Sequence, residues 1–570
     1  MFDLLIKGGD VVDGSGNARR RADVGIEGQR ITAIGDLATA DAKRVIDATG
    51  RVVTPGFVDV HTHLDAQAFW DPTLSPSPLH GVTTVVAGNC GFSITPLGKN
   101  PDDGEYLMKM LSRVEGIPLE SLQAGVPWNW DTTEEYLALL ENTLAINAAF
   151  KVGHSALRRV VMGADATQRE ATQDEVRQMC EMLRAGIEAG AIGFSSSWST
   201  THNDTEQRMV PSRYASREEL LALCAVLADY PGTSLEFIPQ VGLFREDSIE
   251  LMAEMSRVAK APLNWNVLLV GPNNGEEVAQ KLGASDYADA HGGKVRALSA
   301  PMALTFRLCF ASGFLLDAIP GWEDAMLLPR AEKIALFSDP AGRARLGAAA
   351  ESADYMRALT NWSKMTIQFV VHPDNVQYLG RAIGEIATAQ GKSPWDALVD
   401  IALKDELQTA FGQPSSEESD AAWEARVKSW RDPRVVVGAS DAGAHLDLFL
   451  SSNYATVLLG EAVVKRKMLP IEEAVHYLTA VPADLYGLVD RGRIVEGSFA
   501  DVVVLDEHTV GSNETTFRTD LPAGATRLFA DARGIDHVIC NGSEIVEHGE
   551  FTPRRPGSIL RSGRDTRDNM

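Results

Sequence analysis

The residues best suited to chemistry stand just past the ends of apolar runs. His61-Thr-His63 follows Pro55-Gly-Phe-Val-Asp-Val60 without a break. If that run is a strand, side chains two apart share a face and the two imidazoles converge. Such a pair makes half of a coordination sphere for a borderline metal such as zinc. An incidental surface pair would be spelled the same way, but nothing would place it at the end of an apolar run. Asp441 closes Val435-Val-Val-Gly-Ala-Ser in the same manner. A carboxylate there can bind metal and accept a proton from water, whereas a turn or helix cap is the plainer alternative. Cys90 lies in Val85-Val-Ala-Gly-Asn-Cys90-Gly-Phe-Ser, a tight glycine-flanked turn. It reads equally as a small buried hydrophobe and as a thiolate ligand.

Holding such residues together requires strands that end at one place. Eight runs qualify: Phe57-Val-Asp-Val, Thr83-Thr-Val-Val-Ala, Ala149-Phe-Lys-Val, Ala191-Ile-Gly-Phe, Ser234-Leu-Glu-Phe-Ile, Pro262 to Leu269, Thr366-Ile-Gln-Phe-Val-Val and Arg434-Val-Val-Val-Gly. Helical patterns lie between several of them, as in Gln173–Ala189 and Arg217–Asp229. Strand and helix in alternation predict an α/β fold with a parallel sheet, and eight strands suit a closed TIM (β/α)8 barrel over residues 57–485. The active site of such a barrel lies at the C-terminal ends of its strands. Residues 1–56 and 486–570 carry short apolar runs between Gly-rich turns, which predicts one small β domain built from both termini. Two insertions are expected, near 271–363 and 404–431. The longer one suits a lid or pocket wall, and Ser415–Ala425 has the composition of a solvated helix or loop.

Composition narrows the function. The chain has 570 residues and a formal net charge of −25. An acidic surface disfavours nucleic acid and anionic membranes as partners. A small-molecule substrate remains, and a homo-oligomer stays open. The five cysteines are scattered, with no CxxC pair, so neither a disulfide framework nor a zinc ribbon is expected. No secretory leader and no apolar run of about 18 residues is evident, so a cytoplasmic location is expected.

The string Thr54-Pro-Gly-Phe-Val-Asp-Val-His-Thr-His63 resembles the signature of the amidohydrolase superfamily. So does the tail from Pro482-Ala through Asp490-Arg-Gly-Arg-Ile to Ala500-Asp-Val-Val-Val-Leu-Asp506. Gly88-Asn-Cys-Gly, Gly153-His-Ser-Ala-Leu-Arg158 and Ala189-Gly-Ala-Ile-Gly-Phe-Ser195 are similar to the D-aminoacylase branch, the N-acyl-D-amino-acid deacylases. That resemblance implies a barrel flanked by a small β-sandwich. It also implies metal ligation by His61, His63, Asp441 and Cys90, with Asp441 as general base. The sequence departs from the branch in the fifth and sixth strands, which normally supply a histidine each. Here they read Ser234-Leu-Glu236-Phe-Ile and Leu263-Asn-Trp-Asn266-Val-Leu268. Glu236 could replace one nitrogen ligand, while Asn266 is a weak zinc ligand. Leu268 stands where the branch has a lysine for the substrate carboxylate, and the arginine expected after the catalytic Asp has no match. Both losses count against a free D-amino-acid carboxylate as the recognised group.

The expectation is therefore a hydrolase of amide C–N bonds in N-acyl or cyclic amides, with one divalent ion, zinc first. His61, His63, Cys90, Glu236 and Asp441 are the candidate ligands. Five exceed a tetrahedral shell that keeps a place for water, so at least one stands behind it. His202, Asn266 and His372 are candidate substrate contacts. Lys151, which could carry a bridging carbamate, falls early in its strand and is set aside. The alternatives are a retired barrel that binds a ligand or serves in an assembly, and an esterase or decarboxylase using the same centre.

Overall fold

A computed structural model describes the chain except residues 304, 314, 354–356 and 415–417. Eight parallel strands form the frame: Phe57–Asp59, Val82–Ala87, Asn147–Phe150 continued by Val152–Gly153, Gly193–Ser197, Ser234–Ile238, Leu263–Leu268, Val295–Ser299 and Val435–Val437. Each pairs in parallel register with its neighbours along the chain order. Past the ends of the first and last strands, His63 N–H donates to the Ala442 carbonyl at 2.7 Å and Asp441 N–H to the His61 carbonyl at 3.1 Å. The strands are short and buried on both faces, as parallel strands covered by helices are. Their crossover helices start where the sequence says they should. Thr172 caps Gln173–Glu188 with a reciprocal Glu175 box, and Ser216 caps Arg217–Val226.

One strand differs from expectation. Thr366–Phe369 is not the seventh strand of the parallel sheet; Val295–Ser299 is. Thr366–Phe369 pairs antiparallel with Ala410–Gly412, which also pairs with Leu308–Cys309. The physical reason is burial. Val-Arg-Ala-Leu-Ser contains small residues that fit a crowded sheet and give little β signal, whereas the half-exposed Thr366 run is richer in β formers. The two expected insertions, near 271–363 and 404–431, are consequently one segment between the seventh and eighth strands, and Gly275–Ala290 is an ordinary crossover helix. This segment packs its own core around Phe310, Trp322, Phe337, Trp395 and Phe411. Of the stretch 415–425, residues 415–417 lie outside the described residues. Asp420–Trp430 is a helix that buries Trp423 and Trp430.

Both termini contribute to a nine-stranded sheet. At its centre Val52–Pro55 pairs antiparallel with Val502–Leu505. Phe2–Val11 lies on one side of that pair and Ile535–Cys540 on the other. A short hairpin, Thr516–Arg518 with Arg527–Phe529, projects from the C-terminal part. Among the described residues no helix is long and apolar enough to cross a membrane.

Candidate metal centre

His61 and His63 leave the first strand with their rings 5.3 Å apart, both almost fully buried. Their Nε2 atoms lie 3.0 and 3.4 Å from Asp441 Oδ1. Cys90 Sγ completes the group, 3.6 Å from His61 Nε2 and 3.8 Å from His63 Nε2. Around a tetrahedral zinc with bonds of about 2.0–2.3 Å, neighbouring ligand atoms stand roughly 3.3–3.6 Å apart. The four separations from the histidines to Asp441 and Cys90 are close to that spacing, and two imidazoles, a thiol and a carboxylate are donors that a divalent ion such as zinc takes.

The backbone is bent to achieve this. Cys90 and Asp441 have φ of 57° and 54°, in the left-handed region that side chains other than glycine seldom occupy. Two residues before Cys90, Gly88 has φ 78°, and a Cβ there would come within 2.5 Å of the Lys151 carbonyl. Only glycine fits. Asp59, buried under His61, accepts from the Ser440 hydroxyl at 2.5 Å and ties the first strand to the last.

Charge around the four atoms is unbalanced in the way a cation would correct. Glu236 accepts from Cys90 N–H at 2.6 Å through Oε2, while its buried Oε1 has no partner among the described residues. Burial pushes that carboxyl up to about 7, against the pull of Lys151. Glu115, at the end of the helix Pro101–Glu115, places Oε1 3.4 Å from His63 Nδ1 and is pushed by burial up to about 8. Burial and the surrounding carboxylates also raise the Cys90 thiol. Burial alone would raise Asp441 too, but His61 and His63 outweigh it and hold the carboxyl well below its ordinary range.

The model of an amidohydrolase family matches residues 44–546. The chain belongs to that family. Within it, the amidohydrolase falls in the D-aminoacylase branch. It is 32% identical over 565 residues to an N-acyl-D-glutamate deacylase of Alcaligenes xylosoxydans xylosoxydans, covering 98% of this chain and 96% of the relative. A D-aminoacylase of the same organism is 29% identical over 563 residues, covering 98% and 97%. The solved structure of the N-acyl-D-glutamate deacylase from Bordetella bronchiseptica, complexed with zinc and a phosphonate inhibitor, superposes with a TM-score of 0.65. It is 26% identical and covers 98% of this chain and all of that one. As a member of this family the chain is a metal-dependent amide hydrolase of small substrates.

The other candidates fall at different distances from the centre. Asn266 Nδ2 lies 3.3 Å from His61 Nε2 and 3.8 Å from Cys90 Sγ, inside the amidohydrolase's cluster. His202 is close by, packed edge-on against Phe92 and 2.8 Å from the Ser197 hydroxyl, with burial pushing its ring down to about 3. His372 is elsewhere. It lies in the inserted segment, where its backbone N–H bonds Asp405 and its ring caps Pro373–Tyr378. Lys151 is a buried support, donating to Asn89 Oδ1 at 2.8 Å and to the Tyr486 hydroxyl at 2.7 Å. His154 is held between Ser196 and Glu219, beside Arg158. Glu115 and Asp59 carry no sequence signal, because one ends an unremarkable amphipathic helix and the other is hidden inside the strand that precedes His61.

Proposed function

We propose that the eight strands close into a TIM barrel and that His61, His63, Cys90 and Asp441 hold one divalent ion, zinc first, for hydrolysis of a small-molecule amide C–N bond. The observation that carries this reading is that the two histidine Nε2 atoms each lie 3.0–3.4 Å from Asp441 Oδ1 and 3.6–3.8 Å from Cys90 Sγ, with the four side chains set just past the ends of three strands. The bonds from Asp441 and His63 across the first and last strands support closure. A divalent ion at this place supplies Lewis acidity: it acidifies water and polarises a carbonyl.

The chain's own residues do the rest. Asp441 is 32% exposed while both histidines are at 1%, so the carboxylate faces the open side of the centre. Held ionised by the histidines, it takes a proton from water at a carboxylate oxygen and returns it to the leaving nitrogen. Glu236 anchors the Cys90 turn through the backbone N–H and keeps its second oxygen toward the interior. Asn266 restrains His61 and Cys90 from the sixth strand.

Asp441→Asn tests the assignment. The variant is expected to keep near-stoichiometric metal by mass spectrometry after dialysis and to lose about 10²–10⁴ in kcat on a panel of N-acyl and cyclic amides. Near-normal turnover would remove Asp441 from the role. A wild-type protein that stays empty when zinc is offered would instead favour a ligand-binding barrel.

A further inference from the structure

Past the helix that ends in Glu115 lies a cleft of about 1710 Å3, its open mouth included. Its walls come from the chain on either side of Glu115, the inserted segment between the last two strands, the loop after the eighth strand, and the C-terminal hairpin. Gly116, in one wall, directly follows the glutamate that stands 3.4 Å from His63 Nδ1. Asp447, in another, is six residues beyond Asp441 on the same loop. The cleft is thus reached by the chain directly after Glu115 and by the loop that follows Asp441.

Its chemistry is that of an amphipathic ligand. Ile117, Leu328 and the stacked pair Phe369 and Phe517, 4.0 Å apart, give apolar walls. Among them Lys333 is only 3% exposed. Its ammonium donates to the Ala311 carbonyl at 2.8 Å and to that of Phe310 at 3.4 Å. An ammonium has three donors, so one is left over. Among the described residues Lys333 makes no ion pair. Asp317, close enough to act on its charge, is instead paired with Arg113. Asp447 is also near, with a buried Oδ1 that no described group satisfies. The neighbouring carboxylates act on this buried ammonium without contacting it, and an oxygen acceptor for its third donor is what a ligand can bring.

We propose that this cleft receives a carboxylate of the substrate at Lys333, joined through an apolar linker to the amide that reacts. One ammonium with Asp447 beside it suits a single negative charge, whereas a doubly charged phosphate would meet the aspartate's repulsion. The reading rests on the hydrolase function proposed above. It adds that the substrate is an amphipathic monoanion whose charge lies well away from the scissile bond.

The test uses the metal-loaded enzyme and two series of 4-nitroanilides with graded chain lengths. One series is built on dicarboxylic acids with a free terminal carboxylate, the other on matching monocarboxylic acids. The wild type should prefer the carboxylated series at one chain length. Lys333→Met should raise KM for that series about ten- to hundredfold, the usual cost of losing a charge-assisted hydrogen bond. It should leave the uncharged series within about twofold, with Lys333→Arg falling between. Asp447→Asn, which removes the repulsion and keeps Lys333, should lower KM for the carboxylated series. If no anilide is cleaved, equilibrium binding of the free dicarboxylates decides. Saturable binding lost in Lys333→Met supports the cleft while counting against the hydrolysis. Equal behaviour of both series, or binding indifferent to Lys333, overturns the proposal.

Discussion

Among the described residues, two places gather three metal-ligand side chains with ligand atoms within 4.8 Å of one another: His61, His63 and Cys90, and His537, Glu544 and Glu547. The second lies on the terminal sheet. There Arg44 already bonds Glu544 at 2.6 Å and Glu547 at 2.9 Å, and His537 Nδ1 stands 2.6 Å from Glu544. The first is buried and, among the described residues, has no arginine or lysine paired with its ligand atoms and no partner for Glu236 Oε1. Clustering of ligand types is therefore a weak guide to a metal site. What distinguishes the two is whether the protein has already balanced their charge, since a buried group keeps its charge only with a partner or an ion.

The comparison can be broken most sharply at His61. His61→Ala should abolish stoichiometric metal binding and reduce turnover about 10³-fold or more, read by mass spectrometry and steady-state assay. Retention of one tightly held ion would place the metal somewhere else.

A third histidine setting sharpens it. His80 is fully buried with both ring nitrogens engaged, Nδ1 2.7 Å from Thr456 Oγ1 and Nε2 3.0 Å from the Ala530 carbonyl. Burial pushes it down to about 4. The unfolded chain then binds more protons than the folded one between about pH 6.5 and 4. Its contribution to stability is complete above that window and is lost as pH falls through it, by on the order of 3 kcal/mol. His80→Gln should lower the neutral-pH Tm and flatten this acid limb. A limb of unchanged depth would show that other groups produce it.

The smallest effect belongs to the balanced cluster. Arg44→Ala should shift Tm by about two degrees or less and leave the metal content unchanged, since exposed ion pairs contribute little. A second equivalent of zinc bound by that variant would show that Arg44 is what keeps the cluster free of metal.

Much of the centre was legible in the sequence because strands impose simple rules. A spacing of two placed His61 and His63 on one face, and position at a strand end linked them to Asp441. Cys90 was marked by its glycines but stayed undecided between core and ligand, since only the fold brings it to the histidines. Glu115 was invisible. It belongs to a helix whose pattern is explained by core packing, and its meeting with His63 is purely tertiary. The seventh strand was misplaced for a related reason: Ala297 and Ser299 suit a tightly packed parallel sheet because they are small, and small residues carry little strand signal. His372 looked chemical beside Pro373 and Asp374, and the structure gives its ring a capping role.

The arrangement also dictates an order of events on the ribosome. His61, His63 and Cys90 emerge early, whereas Asp441 follows only after the long segment between the seventh and eighth strands has been made. That segment carries its own apolar core and can collapse as a unit while it waits. Val52–Pro55 meanwhile remains without its neighbour Val502–Leu505 until synthesis is nearly complete. For most of its biogenesis, then, the nascent chain presents a thiol and two imidazoles with no carboxylate to complete them and an unfinished sheet beside them. Protection from oxidation, premature metal capture and edge-to-edge association is needed most during translation, before the last quarter of the chain has left the tunnel.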